Sequence, residues 1–312
     1  MRRTTFLLLI SLIICWKGYS QSNIRINNYW DNTYYINPAS IFTEYQYAVS
    51  VAGRKQWLEF PGAPQTSYAT FTARLYTNRI KHSPIGQIGF KIYHDKIGYT
   101  STITLSPSYA YWVRLSYRWL MSLGLAYKIR NVNYNFSKAN TGTTVGDPTL
   151  YENETSWGGN NADIGVEFIG NSILIGASSQ NLFSLLSDKD ANDYQSNVSF
   201  IYTMYRVEID MYFELFLGVC AIKNESLYQA ELKASVNYHT RRFRGLGAGI
   251  FFRTKKDFGI MGEILLSKSL KLACSYNYNV SGVRHSSYGT PEILLVWKFG
   301  KIKNCGCEEF YK

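Results

Sequence analysis

The sequence predicts an all-β protein, a transmembrane antiparallel β-barrel of about 14 strands. Apolar and polar residues alternate with a period of two along most of the chain, and many alternating segments reach about ten residues. Tyrosine and tryptophan cluster near segment ends, as expected of interfacial girdles, and aromatic residues make up 16% of the 312 positions. A tilted strand needs about 9–11 residues to cross a bilayer, which exceeds the usual strand length in soluble sheets.

Residues 99–116 illustrate the alternation. Their odd positions are mainly apolar or aromatic, and their even positions are mainly hydroxylated or charged. A helix, with a period of 3.6, cannot sort residues in this way. The same pattern recurs in 66–75, 207–219, 228–239 and 270–281. A secreted β-sandwich or propeller would also alternate, but with shorter strands, and no propeller repeat is visible.

The N-terminus has the pattern of a secretory signal peptide. Two arginines precede an apolar stretch from Phe6 to Trp16, and small residues lead to a predicted cleavage before Gln21. Removing residues 1–20 takes away three basic side chains, so the mature net charge is +11 − 3 = +8. In an exported chain this balance suits anionic lipid or acidic partners and does not indicate nucleic acid.

Four regions are predicted along the chain. Residues 1–20 are the signal peptide, 21–44 a short periplasmic N-terminal segment, 45–300 the transmembrane β-barrel and 301–312 a periplasmic C-terminal tail. An even strand number places both ends of the barrel on the periplasmic side.

Connections of two lengths are predicted between the strands. Long polar stretches at 137–161, 188–195 and 284–290 are expected to be outer loops. Tight connections at 255–257 and 267–269 are expected to be periplasmic turns.

The chain lacks a motif for catalysis, so we predict a protein that is not an enzyme and that needs no cofactor or metal. The four histidines lack paired metal-binding spacing, and no Gly-x-Ser-x-Gly turn occurs. An enzyme with scattered catalytic residues remains an alternative. Four acidic residues are expected on inward faces: Glu208, Asp210, Glu214 and Glu231. They either tune ion passage or are ordinary lumen residues paired with Lys233, Lys271 or Arg74.

Four cysteines follow the signal peptide, too few for a disulfide scaffold in a chain of this length. Cys220 and Cys274 lie in predicted strands, while Cys305 and Cys307 form a Cys-x-Cys in the tail. These two thiols are either without a fixed role or attach the tail to a periplasmic partner. A metal would need more ligands than two.

Short motifs follow one another in a characteristic order. They are Asn37-Pro38-Ala39, Arg54-Lys55-Gln56-Trp57, Gly62-Ala63-Pro64-Gln65, Asp95 with Gly98, Tyr109-Ala110-Tyr111, Asp163 with Gly165, Gln180-Asn181-Leu182 and Ser275-Tyr276-Asn277. The series resembles the PorP/SprF family of type IX secretion outer-membrane proteins over nearly the whole mature chain. Pro291 departs from the family's pattern, which often has histidine there, and the Cys-x-Cys tail is not part of that pattern.

The resemblance implies a non-enzymatic outer-membrane component of the type IX secretion and gliding machinery. Its partners would be periplasmic ring proteins or lipoproteins, a secreted adhesin or other cargo, and outer-membrane lipid. Candidate contact residues are Asn37, Pro38, Ala39, Arg54, Gln56, Trp57, Gly62, Pro64, Gln65, Asp95 and Gly98, with the tail thiols Cys305 and Cys307.

Two alternatives stay open. The same motifs also suit purely structural roles, as turns or as an inner plug facing the lumen. The other alternative is a porin or a substrate-selective channel. Bulky residues expected to point into the lumen argue against an open channel; they are Trp112, Tyr212 and Phe216.

Overall fold

The fold is described from a computed structural model of the chain. It covers residues 26–41, 45–77, 83–135, 156–186, 195–225, 227–239, 245–254, 257–279 and 288–301. The strands are β1 (Tyr45–Lys55), β2 (Gln65–Thr77), β3 (Ser83–Ile97), β4 (Thr100–Arg114), β5 (Leu120–Tyr134), β6 (Ser156–Ile169), β7 (Ile173–Gln180), β8 (Val198–Glu208), β9 (Phe213–Asn224), β10 (Leu227–Tyr238), β11 (Leu246–Arg253), β12 (Asp257–Ser267), β13 (Leu270–Asn279) and β14 (Thr290–Lys301). Three short 3-10 helices accompany them, at Asn28–Asp31, Thr33–Tyr35 and Leu182–Leu185.

The strands form one closed antiparallel barrel in which each strand pairs with its neighbours in sequence. The barrel closes between β1 and β14, where Tyr45 is opposite Lys301 and Arg54 is opposite Glu292. Closure leaves no strand edge unpaired, as a barrel in lipid requires. The predicted fold class is therefore confirmed. No helix in the ranges described is long and apolar enough to cross a membrane.

The period-two pattern sorts side chains between the lumen and the outer surface. On β4, Thr104 and Trp112 are buried inside, while Ile103 and Tyr111 are exposed outside. The outer surface is accordingly apolar and aromatic, and the lumen holds hydroxyl, amide and charged groups beside a cluster of apolar and aromatic side chains. This is the arrangement expected of a barrel whose outside faces lipid.

One predicted strand is two. The alternating segment 207–219 contains the end of β8, a hairpin at residues 209–212 and the start of β9. Glu208 pairs with Glu214 across that hairpin, and paired residues point to the same face of the sheet. Even-numbered residues therefore share one face on both strands, and odd-numbered residues share the other. The alternation therefore passes through the turn without interruption. Tyr212, predicted to point inward, lies in this hairpin and is 46% exposed, whereas Trp112 and Phe216 are buried.

The connections alternate between the two ends of the barrel. We call the end where β1 begins and β14 finishes the termini end, and the opposite one the loop end. Every connection that follows an odd-numbered strand lies at the loop end. The strand ends that flank the long connections β5–β6, β7–β8 and β13–β14 are among them. Of the predicted outer loop at 137–161, residues 156–161 belong to β6.

The two tight turns predicted to be periplasmic lie at opposite ends. They join β11 to β12 and β12 to β13, and consecutive connections in an up-and-down barrel cannot share an end. The connection β12–β13 is at the termini end, and the connection β11–β12 is at the loop end. The prediction that both turns are periplasmic is therefore wrong for one of them, because short length alone does not fix the side.

Residues 26–41 lie inside the barrel, and we call this segment the plug. Nearly all of its side chains are buried, including Trp30 at 1% and Asn37 at 0% exposure. Residues 21–44 were predicted as a periplasmic segment, with an inner plug facing the lumen as the alternative role for their motif; the described residues 26–41 follow the alternative. Residues 21–25, 42–44 and 302–312, with Cys305 and Cys307, lie outside the described residues.

Candidate functional site: the plug and its contacts

The plug begins at a buried carboxylate on the last strand. The backbone N–H groups of Asn27 and Asn28 each donate to Glu292 at 2.8 Å. Glu292 is 1% exposed and lies 4.0 Å from the guanidinium of Arg54 on β1. The start of the plug is thereby held at the seam that closes the barrel.

A second buried carboxylate holds the aromatic part of the plug. Glu231 on β10 accepts hydrogen bonds from the Tyr29 hydroxyl at 3.0 Å and from the Trp30 indole N–H at 2.6 Å. It also forms an ion pair with Arg253 on β11, whose Nε donates at 2.5 Å. One carboxylate thus joins two strands to the plug through charge-assisted bonds, which are stronger than neutral ones.

The acidic residues predicted as an inward group do not act together. Glu231 pairs with Arg253 rather than with Lys233, Lys271 or Arg74. The Glu208 side chain is 64% exposed and 3.7 Å from Arg206. Asp210 accepts hydrogen bonds from the backbone N–H groups of Tyr212 and Phe213 in the hairpin. Glu214 lies 3.2 Å from His239, so each of the four acids has a separate partner.

A cluster of opposite charges surrounds Asp31. Lys271 on β13 contacts Asp31 at 2.7 Å and Glu263 on β12 at 2.5 Å. Lys233 on β10 lies 3.5 Å from the same glutamate. Two lysines and two carboxylates thus share one network, which joins the plug to β10, β12 and β13.

The predicted motif Asn37-Pro38-Ala39 lies near the C-terminal end of the plug. The Asn37 side chain donates to the Val166 carbonyl at 3.0 Å and to the Tyr202 hydroxyl at 2.9 Å. Its Oδ1 accepts from the backbone N–H of Ala39 at 2.9 Å, so that the asparagine also shapes its own turn. Asn37 thereby fixes both the local fold and the position against β6 and β8.

Wall residues satisfy the carbonyl groups of the plug. Tyr35 accepts from Lys91 at 2.9 Å, Ile36 from Ser178 at 2.8 Å, and Ser40 from Gln87 at 2.9 Å. A segment with little secondary structure of its own would otherwise leave buried carbonyls without partners. The lumen supplies these partners from β3 and β7.

Glycines in the wall make room for the plug. A Cβ on Gly124 would meet the backbone of Pro38 and Ala39, and one on Gly165 would meet the Asn37 side chain. At Gly218 it would come within 2.9 Å of the Trp30 ring. These strand glycines are needed for close approach, not for backbone flexibility.

The other predicted contact residues form a second cluster, at the loop end. The N–H of Gln56 donates to the Pro64 carbonyl at 2.9 Å, and that of Gly98 donates to the Gly62 carbonyl at 3.0 Å. Gly62 and Gly98 have φ values of 73° and 56°, which glycine adopts most readily. The connections β1–β2 and β3–β4 are thereby bonded to each other.

This loop-end cluster also reaches β14 and β3. The backbone N–H of Trp57 donates to Thr290 Oγ1 at 3.2 Å, and the Thr66 hydroxyl donates to Asp95 at 2.5 Å. Gln65 is opposite Lys96 in the β2–β3 register. The structure therefore brings Arg54, Gln56, Trp57, Gly62, Pro64, Gln65, Asp95 and Gly98 to one end of the barrel, apart from Asn37, Pro38 and Ala39.

Sequence reasoning missed how the barrel wall holds the plug. The strongest contacts come from Glu292, Glu231 with Arg253, Tyr202 and the inward glycines. Glu231 was predicted to face inward and Gly165 was part of a recognised motif, but neither was assigned to a plug. The available signal was a buried charge or a glycine at an inward position of an alternating strand. Among the described residues, no group of three or more His, Cys, Asp or Glu is placed to hold a metal ion. Cys220 is buried in the lumen wall, and Cys274 faces outward.

These features define a plugged β-barrel membrane protein. The model of the family described as type IX secretion system membrane protein PorP/SprF matches residues 19–297, and the chain belongs to this family. It is thus an outer-membrane component of the type IX secretion system. No curated protein matches the chain.

Two solved barrels illustrate the likeness to known structures. One is a mutant of Rh. blastica porin, at 9% identity and a TM-score of 0.34, covering 81% of this chain and 99% of the porin. The other is the CymD monoaromatic hydrocarbon channel, at 8% identity and a TM-score of 0.47, covering 82% of this chain and 89% of CymD. Likeness at this level carries no argument about what this chain binds or passes.

Proposed function

We propose that the protein works by binding and docking rather than by conduction or catalysis. It docks the periplasmic ring proteins or lipoproteins of the secretion system, exports and anchors a surface adhesin or other type IX cargo, or does both, including in gliding cells. The observation that carries this proposal is the plug, which occupies the lumen that a channel would keep open.

The plug is bonded all around the barrel wall. Its hydrogen bonds and ion pairs reach β2, β3, β4, β6, β7, β8, β10, β11, β13 and β14. Removing it would strip donors from two buried carboxylates, and a hydrogen bond to a charged group contributes about 1.5–3 kcal/mol. This supports a plug that stays in place, which favours the docking function over the channel alternative.

The two ends of the barrel suit different partners. Bacterial barrels have short periplasmic turns and longer outer loops. The termini end, with the tail that carries Cys305 and Cys307, then faces the periplasm and the ring, after export through a cleaved signal peptide. The loop end, with the cluster around Trp57 and Gly62, faces the exported cargo. Phe60 in that cluster is 43% exposed and available for contact.

The proposal predicts stable partners. We would purify the tagged protein from outer membranes in mild detergent and identify co-purifying chains by mass spectrometry. An unrelated tagged barrel from the same membranes is the control. Recovery of a ring lipoprotein or a secreted adhesin supports docking and distinguishes its two versions.

Deletion of the gene gives the complementary test. A lone barrel, with wild-type secretion after deletion, would refute the proposal. Planar-bilayer measurements would then test the channel alternative, which requires a steady conductance from the purified wild-type protein.

A further inference from the structure

The plug fills the lumen unevenly. Its residues 33–41 pack against β2 to β8, through contacts such as Lys91 with the Tyr35 carbonyl and Asn37 with Tyr202. Beside β9 to β14 the lumen keeps a cavity of about 460 Å³ at the termini end, with Trp30 and Asp31 of the plug on its inner side. This volume lies within the range of about 300–1,000 Å³ that ligand sites occupy.

The cavity opens at the termini end. Its lining includes Tyr45 at the start of β1, Lys298 near the end of β14 and the turn residue Lys268. Part of the lining is apolar, formed by side chains such as Met204 and Phe216, which are 3% and 8% exposed. A ligand that enters would therefore meet both polar and apolar groups.

One buried acceptor in the lining lacks a donor. Asn237 is 9% exposed, and its Oδ1 accepts no hydrogen bond from any residue that the structure describes. An unpaired buried acceptor is costly, so this atom selects a ligand that brings an N–H donor.

The charges of the cavity favour a ligand with some negative charge. The lining carries four lysines, Lys233, Lys268, Lys271 and Lys298, against three carboxylates, Asp31, Glu214 and Glu263. Lys233 and Lys271 are engaged with Glu263 and Asp31. Lys268 and Lys298 belong to the turn and strand end at the mouth.

We propose that this cavity binds an extended segment of an exported polypeptide that enters from the termini end. A peptide backbone supplies an N–H donor for Asn237, its apolar side chains fit against Met204 and Phe216, and acidic side chains meet the lysines at the mouth. The inference rests on the proposed secretion function, which makes polypeptide the ligand available at this end.

Adjacent residues on β12 provide a matched pair for the test. Leu265 lines the cavity, whereas Leu266 is 51% exposed on the outer face. A photo-crosslinking amino acid placed at position 265 in living cells should capture an exported polypeptide, and the same group at position 266 should not. Mass spectrometry of the adduct identifies the captured segment, which is then synthesised as the binding probe.

Binding of that synthetic peptide to the purified barrel completes the test. Leu265→Trp fills the cavity and should weaken binding at least about tenfold, while Leu266→Trp should change it less than about twofold. Heat-modifiable migration in gels shows that both variants are folded. Loss of peptide binding with unchanged co-purification of partners would separate this site from docking as a whole.

Three results would overturn the proposal. They are adducts at position 265 only with residues 302–312 of the same chain, adducts only with lipid or none in the folded protein, and equal peptide affinity in the two tryptophan variants. Recovery of partners in the co-purification experiment would still support the docking function in each case.

Discussion

Glu231→Ala should loosen the plug. The carboxylate accepts hydrogen bonds from Tyr29 at 3.0 Å and from Trp30 at 2.6 Å, and it neutralises the buried Arg253. At about 1.5–3 kcal/mol for each bond to a charged group, losing the two plug bonds costs about 3–6 kcal/mol. In the variant, Arg253 is left buried without its partner while the plug is in place. Water can reach this guanidinium once the plug loosens, which favours the loosened state further.

This cost changes the population of loosened molecules. Since 1.4 kcal/mol is a factor of ten, the fraction with a displaced plug should rise roughly 100- to 10,000-fold. Planar-bilayer recordings should show intermittent opening in the variant and quiet traces in the wild type. Thermal unfolding in detergent should move to lower temperature in parallel.

The matched control is Gln229→Ala. Gln229 shares the strand and the lumen face, is 7% exposed and, among the residues described, makes no hydrogen bond with the plug. It should behave as the wild type in both assays. If Glu231→Ala gave quiet traces and an unchanged melting temperature, the carboxylate would not hold the plug and the reasoning would fail.

Three further predictions concern other contacts. Gly124→Val should lower the free energy of unfolding by about 1–3 kcal/mol, because the new side chain meets Pro38 and Ala39. Gly262→Val on the open outer face should be neutral, and denaturant titration compares the two variants. Tyr202→Phe should cost about 2–4 kcal/mol, since its hydroxyl donates to Glu167 and accepts from Asn37, and the outward Tyr205→Phe is its control in the same titration. Trp57→Ala at the loop end should change stability by less than about 0.5 kcal/mol yet reduce co-purification of cargo, unlike the outward Tyr127→Ala; unchanged recovery would remove Trp57 from the contact surface.

The barrel could be predicted because its wall repeats one simple rule. Every strand places alternate residues in lipid and in the lumen, so a short window such as 99–116 is enough to recognise it. The same rule concealed the hairpin at 209–212, because Glu208 and Glu214 keep equal parity across the turn. A pattern of period two locates strands better than it locates their ends.

The plug could not be placed in this way. Residues 26–41 show neither the period of two of a strand nor the period of 3.6 of a helix. They are rich in asparagine, which also suits an exposed loop. Their position depends on contacts with residues such as Glu292, 265 positions away from Asn27. The motif Asn37-Pro38-Ala39 was recognised, but its acceptors on β6 and β8 become visible only in three dimensions.

The contact between Asn27 and Glu292 also determines the order in which the protein assembles. Residues near the start of the chain find their partner only on the final strand, so the plug cannot be completed before β14 has been added. Contacts of such sequence separation make folding slow, because the loop-closure entropy is lost before the contact forms. This early part of the chain is therefore among the last to fold. Until then its aromatic residues, Trp30 above all, are unpacked and prone to aggregation.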